Sequence, residues 1–257
     1  MAREPDIILL GQGVGDTLQL TIESQRVLSR VGKVYALYLP PNLEKLLKSM
    51  RVEYVDLGAR FTQGRPLSEV YLDVIESVLE STTKERPVVL LTPGNPLFLN
   101  VISRVLVMQA KERGLSVRVY PGVSQLDSLI NYLGLDVGSF GLQVFDARRL
   151  VARKHRINPS VPLLVLQLAG VAADEAGTLA QRDPADYAPL AKHLTRFYPT
   201  GQPVTVLHVN DGEGRAAHST SPLSGFADLV PSIRIASHLF IDAVRQSPSA
   251  QPAKEGV

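Results

Sequence analysis

Two short apolar runs that end in proline–glycine turns constrain the fold of this chain more than any other feature. The first run, residues 88–91, contains two β-branched residues, as is typical of a strand buried on both faces of a parallel sheet. It stops at residues 92–96 (Thr-Pro-Gly-Asn-Pro), and a helical apolar pattern then continues to Gly114. The second run, residues 115–120, ends at Pro121-Gly122. Because open parallel sheets bind ligands beyond the carboxyl ends of their strands, the pattern predicts a ligand site at these loops; two tight turns without a ligand are the alternative.

Length and composition indicate a globular protein of one large or two small domains. The chain has 257 residues, 45% of them apolar and 20% charged, which is enough for a sizeable core. Its net charge of +2 is too weak to indicate a nucleic-acid surface. It has no cysteine and its five histidines are scattered, so neither disulfides nor a metal site is expected. With no signal peptide and no apolar run near the roughly 20 residues of a membrane span, we expect a cytoplasmic protein that binds neither membrane nor nucleic acid.

The loop after the first predicted strand, residues 7–10, resembles half of a dinucleotide-binding fingerprint. It reads Gly11-Gln-Gly-Val-Gly-Asp16, with Asp16 where the third glycine should stand. The acidic residue that should follow about 20 residues later is missing, since none occurs between Glu23 and Glu44. A nicotinamide or flavin cofactor is therefore disfavoured.

A helix with one apolar face is predicted from Ser68, which is a good N-cap residue. Tyr71 shares that face with residues 74, 75, 78 and 79. The spacing favours a core position for Tyr71, and a phenol at the mouth of a cleft is the alternative.

The second half of the chain has a more mixed α/β pattern. Ser124 is the predicted N-cap of a short helix whose free backbone N–H groups favour an anion, with an ordinary cap as the alternative. Residues 162–169 predict an apolar strand interrupted by Gln167, whose amide needs a partner or a ligand. A composition change near Tyr120–Pro121 divides the chain. We therefore expect an N-terminal α/β domain at 1–120, a C-terminal α/β domain at 121–245 and a disordered tail at 246–257.

Three motifs occur in the order and spacing of the tetrapyrrole methylase family. They are the loop at residues 11–16, the turn at residues 93–96 and the turn at residues 121–124. The resemblance covers roughly residues 6–245 and implies a two-domain α/β fold that holds S-adenosylmethionine in the cleft between the domains. The second family motif usually reads Gly-Asp-Pro, and here Asn95 takes the aspartate position. The cofactor-binding residues that the resemblance implies are Pro93, Gly94, Asn95, Phe98, Ser124, Gln125, Gln167, Leu168 and Gly212.

Within this family, the chain is similar to the borosin-type methyltransferases, which methylate backbone amides of a peptide. The similar segments are residues 121–127, 133–136, 143–147, 164–167 and 197–199. The borosin catalytic loop follows an Asp-Leu pair, here at residues 56–57, and supplies tyrosines and an arginine. Tyr71 fits the last tyrosine, and the resemblance implies Tyr71 as a catalytic residue with Arg60 or Arg65 as a substitute for the arginine. Other residues stand where two tyrosines and the arginine are expected: Gly58, Phe61 and Leu67.

The expected reaction sets a specific chemical demand. An amide nitrogen is a poor nucleophile, so its proton must be removed or its imidate form stabilised, which a phenolate and a guanidinium can do. Residues 247–257 contain no apolar core peptide, so we expect a separate peptide as the acceptor and, from the resemblance, a homodimer. Two alternatives are a methyltransferase for a tetrapyrrole or other small molecule, and a catalytically silent relative that binds the cofactor or a peptide.

Overall fold

A computed structural model describes residues 4–14, 19–62, 64–173, 183–209 and 216–244 of the chain. The described residues divide between two compact units, of which the first extends to Gly134 and the second begins at Leu135. Among these residues, no helix has the length and apolar character needed to cross a membrane. The tail predicted from residue 246, together with Gly15 and Asp16 of the first motif, lies outside the described residues.

The first unit is a parallel sheet whose strands alternate with helices. Its strand order is β3-β2-β4-β1-β5, and every neighbouring pair is parallel. The strands β1 and β4 are buried along their whole length, as predicted for the apolar run that forms β4. The elements are β1 (Ile7–Gly11), α1 (Ile22–Leu28), β2 (Lys33–Ala36), α2 (Pro41–Ser49), β3 (Glu53–Asp56), α3 (Leu67–Ser81), β4 (Val88–Thr92), α4 (Val101–Glu112), β5 (Val117–Tyr120) and α5 (Gln125–Leu133).

The helices of this unit cover both faces of the sheet. Helices α1 and α2 pack with Leu10 and Leu91, whereas α3 and α4 pack with the adjacent residues Leu9 and Leu90, whose side chains point to the opposite face. In the strand order, β2 and β5 lie on opposite sides of the neighbouring pair β4 and β1. The connection from β1 to β2 and the connection from β4 to β5 therefore run in opposite directions. Such a topological switch point opens a crevice at the carboxyl edge of the sheet, where open α/β sheets bind ligands.

Two predicted boundaries differ from the structure. Helix α3 begins at Leu67 after Pro66, and Ser68 lies inside its first turn, so Ser68 is not the N-cap; the fixed φ of proline suits a helix entry without a side-chain cap. The division between the units lies after Gly134, whereas the composition change predicted it at Tyr120–Pro121. Helix α5 stays with the first unit because the turn that precedes it packs closely against the loops after β1 and β4.

The second unit contains a mixed sheet with the order β6-β7-β10-β8-β9. Strand β6 is parallel to β7, and β10 is antiparallel to both of its neighbours. One face of the sheet packs against α7, α8 and α9 through a buried cluster that includes Leu163, Val165 and Leu239. The elements are α6 (Val137–Phe140), β6 (Gln143–Asp146), α7 (Ala147–Arg153), β7 (Leu163–Leu166), α8 (Pro184–Leu194), β8 (Pro203–Val209), β9 (Ala216–Pro222), α9 (Phe226–Leu229) and β10 (Ser237–Ile241).

Asp6 ties together the amino ends of three strands in the first unit, and its removal should destabilise the fold. Its carboxylate, 4% exposed, pairs with Arg86 and accepts hydrogen bonds from the backbone N–H and hydroxyl of Ser116 at 2.8 and 2.7 Å. Since hydrogen bonds to charged groups contribute about 1.5–3 kcal/mol, Asp6→Ala should lower the free energy of unfolding by about 2–3 kcal/mol in urea denaturation. The control is Glu76→Ala, which removes an exposed pair with Arg113 and should cost less than about 1 kcal/mol. Equal losses in the two variants would contradict the structural role of Asp6.

Candidate cofactor-binding site

Three glycines touch through their backbones: Gly11 at the end of β1, Gly94 in the loop after β4 and Gly122 in the loop after β5. We call them the glycine junction. A Cβ atom on Gly11 would lie 2.5 Å from the backbone nitrogen of Gly122 and 2.6 Å from the carbonyl oxygen of Gly94. A Cβ atom on Gly122 would lie 2.6 Å from that same oxygen. The backbones can therefore approach this closely only with glycine at positions 11 and 122. The N–H of Gly94 also donates to the carbonyl oxygen of Gly13 at 2.8 Å, which joins the loops on either side of the switch point.

The loop after β4 holds four of the nine cofactor residues that the resemblance implies. Gly94 adopts a left-handed conformation with φ +62°, and the nearest atom to a Cβ placed there would be 3.8 Å away, so its constraint is conformational. The side-chain oxygen of Asn95 accepts the N–H of Leu97 at 3.0 Å. Pro93 is exposed and Phe98 is half-buried. Asn95 thus shapes the turn in the position where the family has an aspartate.

Two buried polar side chains lie beside these loops, and neither was predicted from the sequence. Gln12 follows β1 and Thr92 ends β4, and the N–H of Gln12 donates to the carbonyl oxygen of Thr92 at 2.9 Å. Gln12 is 3% exposed and Thr92 is fully buried, yet Gln12 Oε1 and Thr92 Oγ1 have no hydrogen-bond partner in the part of the chain that the structure describes. Since buried polar atoms are normally paired, their position at the switch point suits a polar ligand such as the expected cofactor. The only sequence signal was the glutamine within a glycine loop and the threonine that ends an apolar run.

Ser124 and Gln125 lie at the start of α5, and Ser124 forms an ordinary cap. The backbone N–H and the hydroxyl of Ser124 both donate to the carboxylate of Asp127 at 2.7 Å, and Ser124 Oγ accepts the N–H of Asp127 at 3.4 Å. This reciprocal capping box engages the polar groups of the Ser124 side chain within the helix. Gln125 is the half-buried first residue of α5.

In the second unit, Gln167 is the residue where β7 ends. It adopts a left-handed conformation, with φ 55° and ψ 48°, and leads into a 3₁₀ turn at Leu168–Val171. Its side chain is exposed. The strand predicted over residues 162–169 is therefore too long, because β7 ends at Leu166 and the chain turns at Gln167. Leu168 is fully buried. Gly212, the remaining implied cofactor residue, lies outside the described residues.

His238 contacts Gln167, although the sequence analysis assigned no role to any histidine. Its Nδ1 accepts the backbone N–H of Gln167 at 3.3 Å, and the residue is 1% exposed. Burial disfavours the charged imidazolium, and the charge of His208 adds to this effect, so the pKa of His238 falls to about 4. The imidazole is therefore neutral at physiological pH.

This depressed pKa predicts that the stability of the protein falls in mild acid. The folded pKa of His238, about 4, lies below the value of about 6.5 for an unfolded histidine. Between these values the unfolded chain binds more protons, so stability decreases as the pH falls through this window and levels off below about pH 4. Between about pH 7 and 5, urea denaturation should show that the wild type loses about 2 kcal/mol more than His238→Asn, which cannot titrate. The same loss in both proteins would show that His238 is not a buried neutral base.

The two candidate catalytic arginines lie along one side of α3. The guanidinium of Arg65 pairs with Asp73 at 2.6 Å and with Glu69 at 3.4 Å, and Asp73 is the main cause of a raised pKa for Arg65. The guanidinium of Arg60 donates to the carbonyl oxygen of Asp73 at 3.0 Å and to the hydroxyl of Ser77 at 2.8 Å. Both arginines therefore meet at Asp73.

Tyr71 lies on a different side of the same helix. It packs against the core that contains Val74, Ile75 and Val78, and its ring centroid is 6.0 Å from that of Phe61. Residues 69 and 73 are each two positions from Tyr71, so the helical repeat places the Arg65 partners on another face. The structure thus places Tyr71 beside Phe61 and brings the two arginines together at Asp73.

Comparison with known proteins decides the family. The model of the tetrapyrrole (corrin/porphyrin) methylases matches residues 6–208. The chain belongs to this family. The family uses S-adenosylmethionine, so the expectation of an S-adenosylmethionine-dependent methyltransferase is confirmed at the level of the family.

Solved structures confirm the fold. Uroporphyrin-III C-methyltransferase from Thermus thermophilus matches with a TM-score of 0.62 and 17% identity, over 93% of this chain and 92% of that chain. Its complex with S-adenosylhomocysteine matches with a TM-score of 0.61 and 19% identity, over 92% and 91% of the two chains. The α/β architecture predicted from the sequence is that of these enzymes.

The curated relatives include methyltransferases that are also peptide precursors. The gymnopeptide precursor of Gymnopus fusipes is 25% identical over 203 residues, which are 79% of this chain and 47% of the relative. The omphalotin A precursor of Omphalotus olearius is 24% identical over 213 residues, 77% of this chain and 51% of the relative. A type III borosin precursor of Anomoporia bombycina is 25% identical over 166 residues, 65% of this chain and 19% of the relative. The chain thus spans about half the length of these relatives or less.

Proposed function

We propose that this chain transfers methyl groups from S-adenosylmethionine to backbone amides of a separate peptide. The observation that carries the proposal is the similarity to methyltransferases whose names join the enzyme to a ribosomally synthesized cyclic peptide precursor. These similarities extend over about two thirds to four fifths of the chain.

We assign cofactor contacts to residues of each unit separately. In the first unit these are Gly94 and its loop, together with the unpaired oxygens of Gln12 and Thr92, which can accept hydrogen bonds from a polar ligand. In the second unit they are Gln167 and Leu168. The bound cofactor supplies an electrophilic methyl group on a sulfonium. The chain has to align the acceptor with this methyl group, and alignment alone can lower the activation barrier by about 7–11 kcal/mol.

The acceptor requires more than alignment, because an amide nitrogen must lose its proton. Tyr71 is the proposed base, and Arg60 or Arg65 is the proposed donor to the imidate oxygen. Both arginines now donate to groups on α3. Either one must exchange a contact with Asp73 for the substrate before it can act, and the exposed position of the Arg65 pair makes this exchange inexpensive.

A small-molecule acceptor is the second candidate, and the position of Tyr71 favours it. The phenol ring packs with the buried residues of α3 and next to Phe61. In addition, Gly58, Phe61 and Leu67 replace two tyrosines and the arginine of the borosin catalytic loop. A carbon or hydroxyl acceptor does not need the deprotonation that these residues would support.

We also propose that the chain forms a homodimer. Large apolar side chains of the second unit are exposed, among them Phe140 at 68% and Ile235 at 79%, and a subunit interface would cover such groups. Light scattering at micromolar concentration should give the mass of two chains, and a monomer would contradict this proposal.

The acceptor class is tested by offering both kinds of substrate with a methyl-labelled cofactor. The peptides are synthetic products of any short reading frames that lie beside the gene, and the small molecule is a uroporphyrin precursor. Label in a peptide supports the proposal, and label only in the tetrapyrrole overturns it. No transfer by a protein that binds S-adenosylhomocysteine would identify the catalytically silent alternative.

A further inference from the structure

We propose that His238 is a positioning residue, whose neutral imidazole holds Gln167 in the left-handed conformation that ends β7. The role in cofactor binding rests on the proposed function, because Gln167 and Leu168 are its proposed cofactor residues in the second unit. The contact between His238 and Gln167 itself is a feature of the fold.

The sheet register brings the two residues together. Strand β10 runs antiparallel to β7, with Leu239 opposite Val165. His238 comes one residue before Leu239 along β10, so it lies beside the end of β7, where the chain reaches Leu166 and turns. Its ring reaches the backbone N–H of Gln167, which donates to Nδ1 at 3.3 Å. Because Nδ1 accepts this bond, the proton of the neutral ring is on Nε2.

Gln167 needs such a partner because its conformation is unfavourable for a residue with a side chain. Its φ of 55° lies in the region that only glycine adopts without steric cost. Asparagine and aspartate also tolerate this region through local hydrogen bonds, whereas glutamine has no comparable short side chain. A hydrogen bond from a residue 71 positions away compensates for this cost and sets the direction in which Leu168 enters the 3₁₀ turn.

Burial keeps Nδ1 of His238 unprotonated, so that it can accept a hydrogen bond. The residue is 1% exposed and pairs in register with Leu207, on the sheet face opposite the helices of the second unit. Burial and the charge of His208 hold its pKa near 4, so Nδ1 stays unprotonated under physiological conditions. A surface histidine would instead be partly protonated, and would then present an N–H to another N–H.

Three substitutions distinguish the role of Nδ1 from that of Nε2. His238→Asn places an amide oxygen near the position of Nδ1, His238→Gln places its polar group near Nε2, and His238→Leu provides neither. Binding of S-adenosylhomocysteine is measured by calorimetry. We expect the asparagine variant to bind within about threefold of the wild type, and the glutamine and leucine variants to lose about tenfold or more.

The outcomes distinguish the inference from the proposed function. Equal affinity in all three variants overturns the inference, as does a glutamine variant that binds better than the asparagine variant, because Nε2 would then make the functional contact. A wild type that does not bind S-adenosylhomocysteine overturns the proposed function and leaves the structural contact to be judged by the next measurement.

Amide hydrogen exchange gives a readout that does not depend on the cofactor. The N–H of Gln167 should be protected in the wild type and in His238→Asn, and should exchange at least about tenfold faster in His238→Leu. Thermal melting identifies any variant that is unfolded. If His238→Leu is unfolded, the test rests on His238→Asn, which should keep both the affinity and the protection of the wild type. In a Gln167→Gly background, the change to leucine should cost less affinity, because glycine adopts a positive φ without help. An undiminished loss, or unchanged protection in His238→Leu, contradicts positioning through Gln167.

Discussion

Gly94→Val should weaken the binding of S-adenosylhomocysteine by at least about 100-fold, or about 2.7 kcal/mol. Gly94 has φ +62°, and a β-branched residue is a genuine outlier in this region. The loop after β4 must therefore rearrange, although a Cβ at this position has its nearest neighbour 3.8 Å away. Rearrangement would move the carbonyl oxygen of Gly94 out of the glycine junction and break the hydrogen bond from Gly94 to Gly13. Calorimetry measures the loss of affinity.

Gly114→Val is the matched control. Gly114 follows α4 with φ +71° and has no atom within 4 Å of an added Cβ, so valine there meets the same conformational penalty in open space. Both variants should lose a similar free energy of unfolding, yet only Gly94→Val should lose the cofactor product. Unchanged affinity in Gly94→Val, or an equal loss of affinity in both variants, would contradict a cofactor site at the loop after β4.

Tyr71→Phe should slow methylation of a peptide by about 10²–10⁴-fold, the usual contribution of a positioned acid or base. The substitution keeps the ring that packs against the α3 core and Phe61 and removes only the hydroxyl. Stability should change by about 1 kcal/mol or less, and the affinity for S-adenosylhomocysteine should stay the same. The rate is measured by mass spectrometry of the peptide under single-turnover conditions.

Tyr54→Phe provides the control for the loss of a phenol. Tyr54 lies on β3 and its hydroxyl donates to Glu44. It packs with the cluster of α1 and α2, whereas Tyr71 belongs to the cluster of α3 and α4 on the other face of the sheet. This variant should methylate at the wild-type rate. Full activity of Tyr71→Phe on the peptide would show that Tyr71 is a core residue only and that its phenol is not the base.

Local sequence patterns were sufficient to predict most of the first unit. The apolar run of β4 and the glycine that ends α4 act through neighbouring residues, since burial on both faces requires an apolar strand and Gly114 takes the left-handed position after a helix. The start of α3 was misplaced because Ser68 and Pro66 are both good residues for a helix entry, and the backbone geometry used the proline.

The details of the site depend on contacts between distant parts of the chain. Gln167 adopts a left-handed conformation without being glycine, and its partner His238 is 71 residues away, so no local pattern could predict either feature. Gln12 and Thr92 become neighbours only because β1 pairs with β4. The strand ends that form the glycine junction were predicted, whereas the polar atoms around them required the sheet order.

The most direct test of backbone amide methylation is to locate the transferred methyl group. The full chain is incubated with trideuteromethyl-labelled S-adenosylmethionine, a uroporphyrin precursor and synthetic peptides of any short reading frames beside its gene. The products are fragmented by tandem mass spectrometry. The proposed function predicts labelled methyl groups on backbone nitrogens, with the label absent when Gly94→Val replaces the wild type. Label on side chains only, or label on a tetrapyrrole with none on any peptide, would contradict backbone amide methylation.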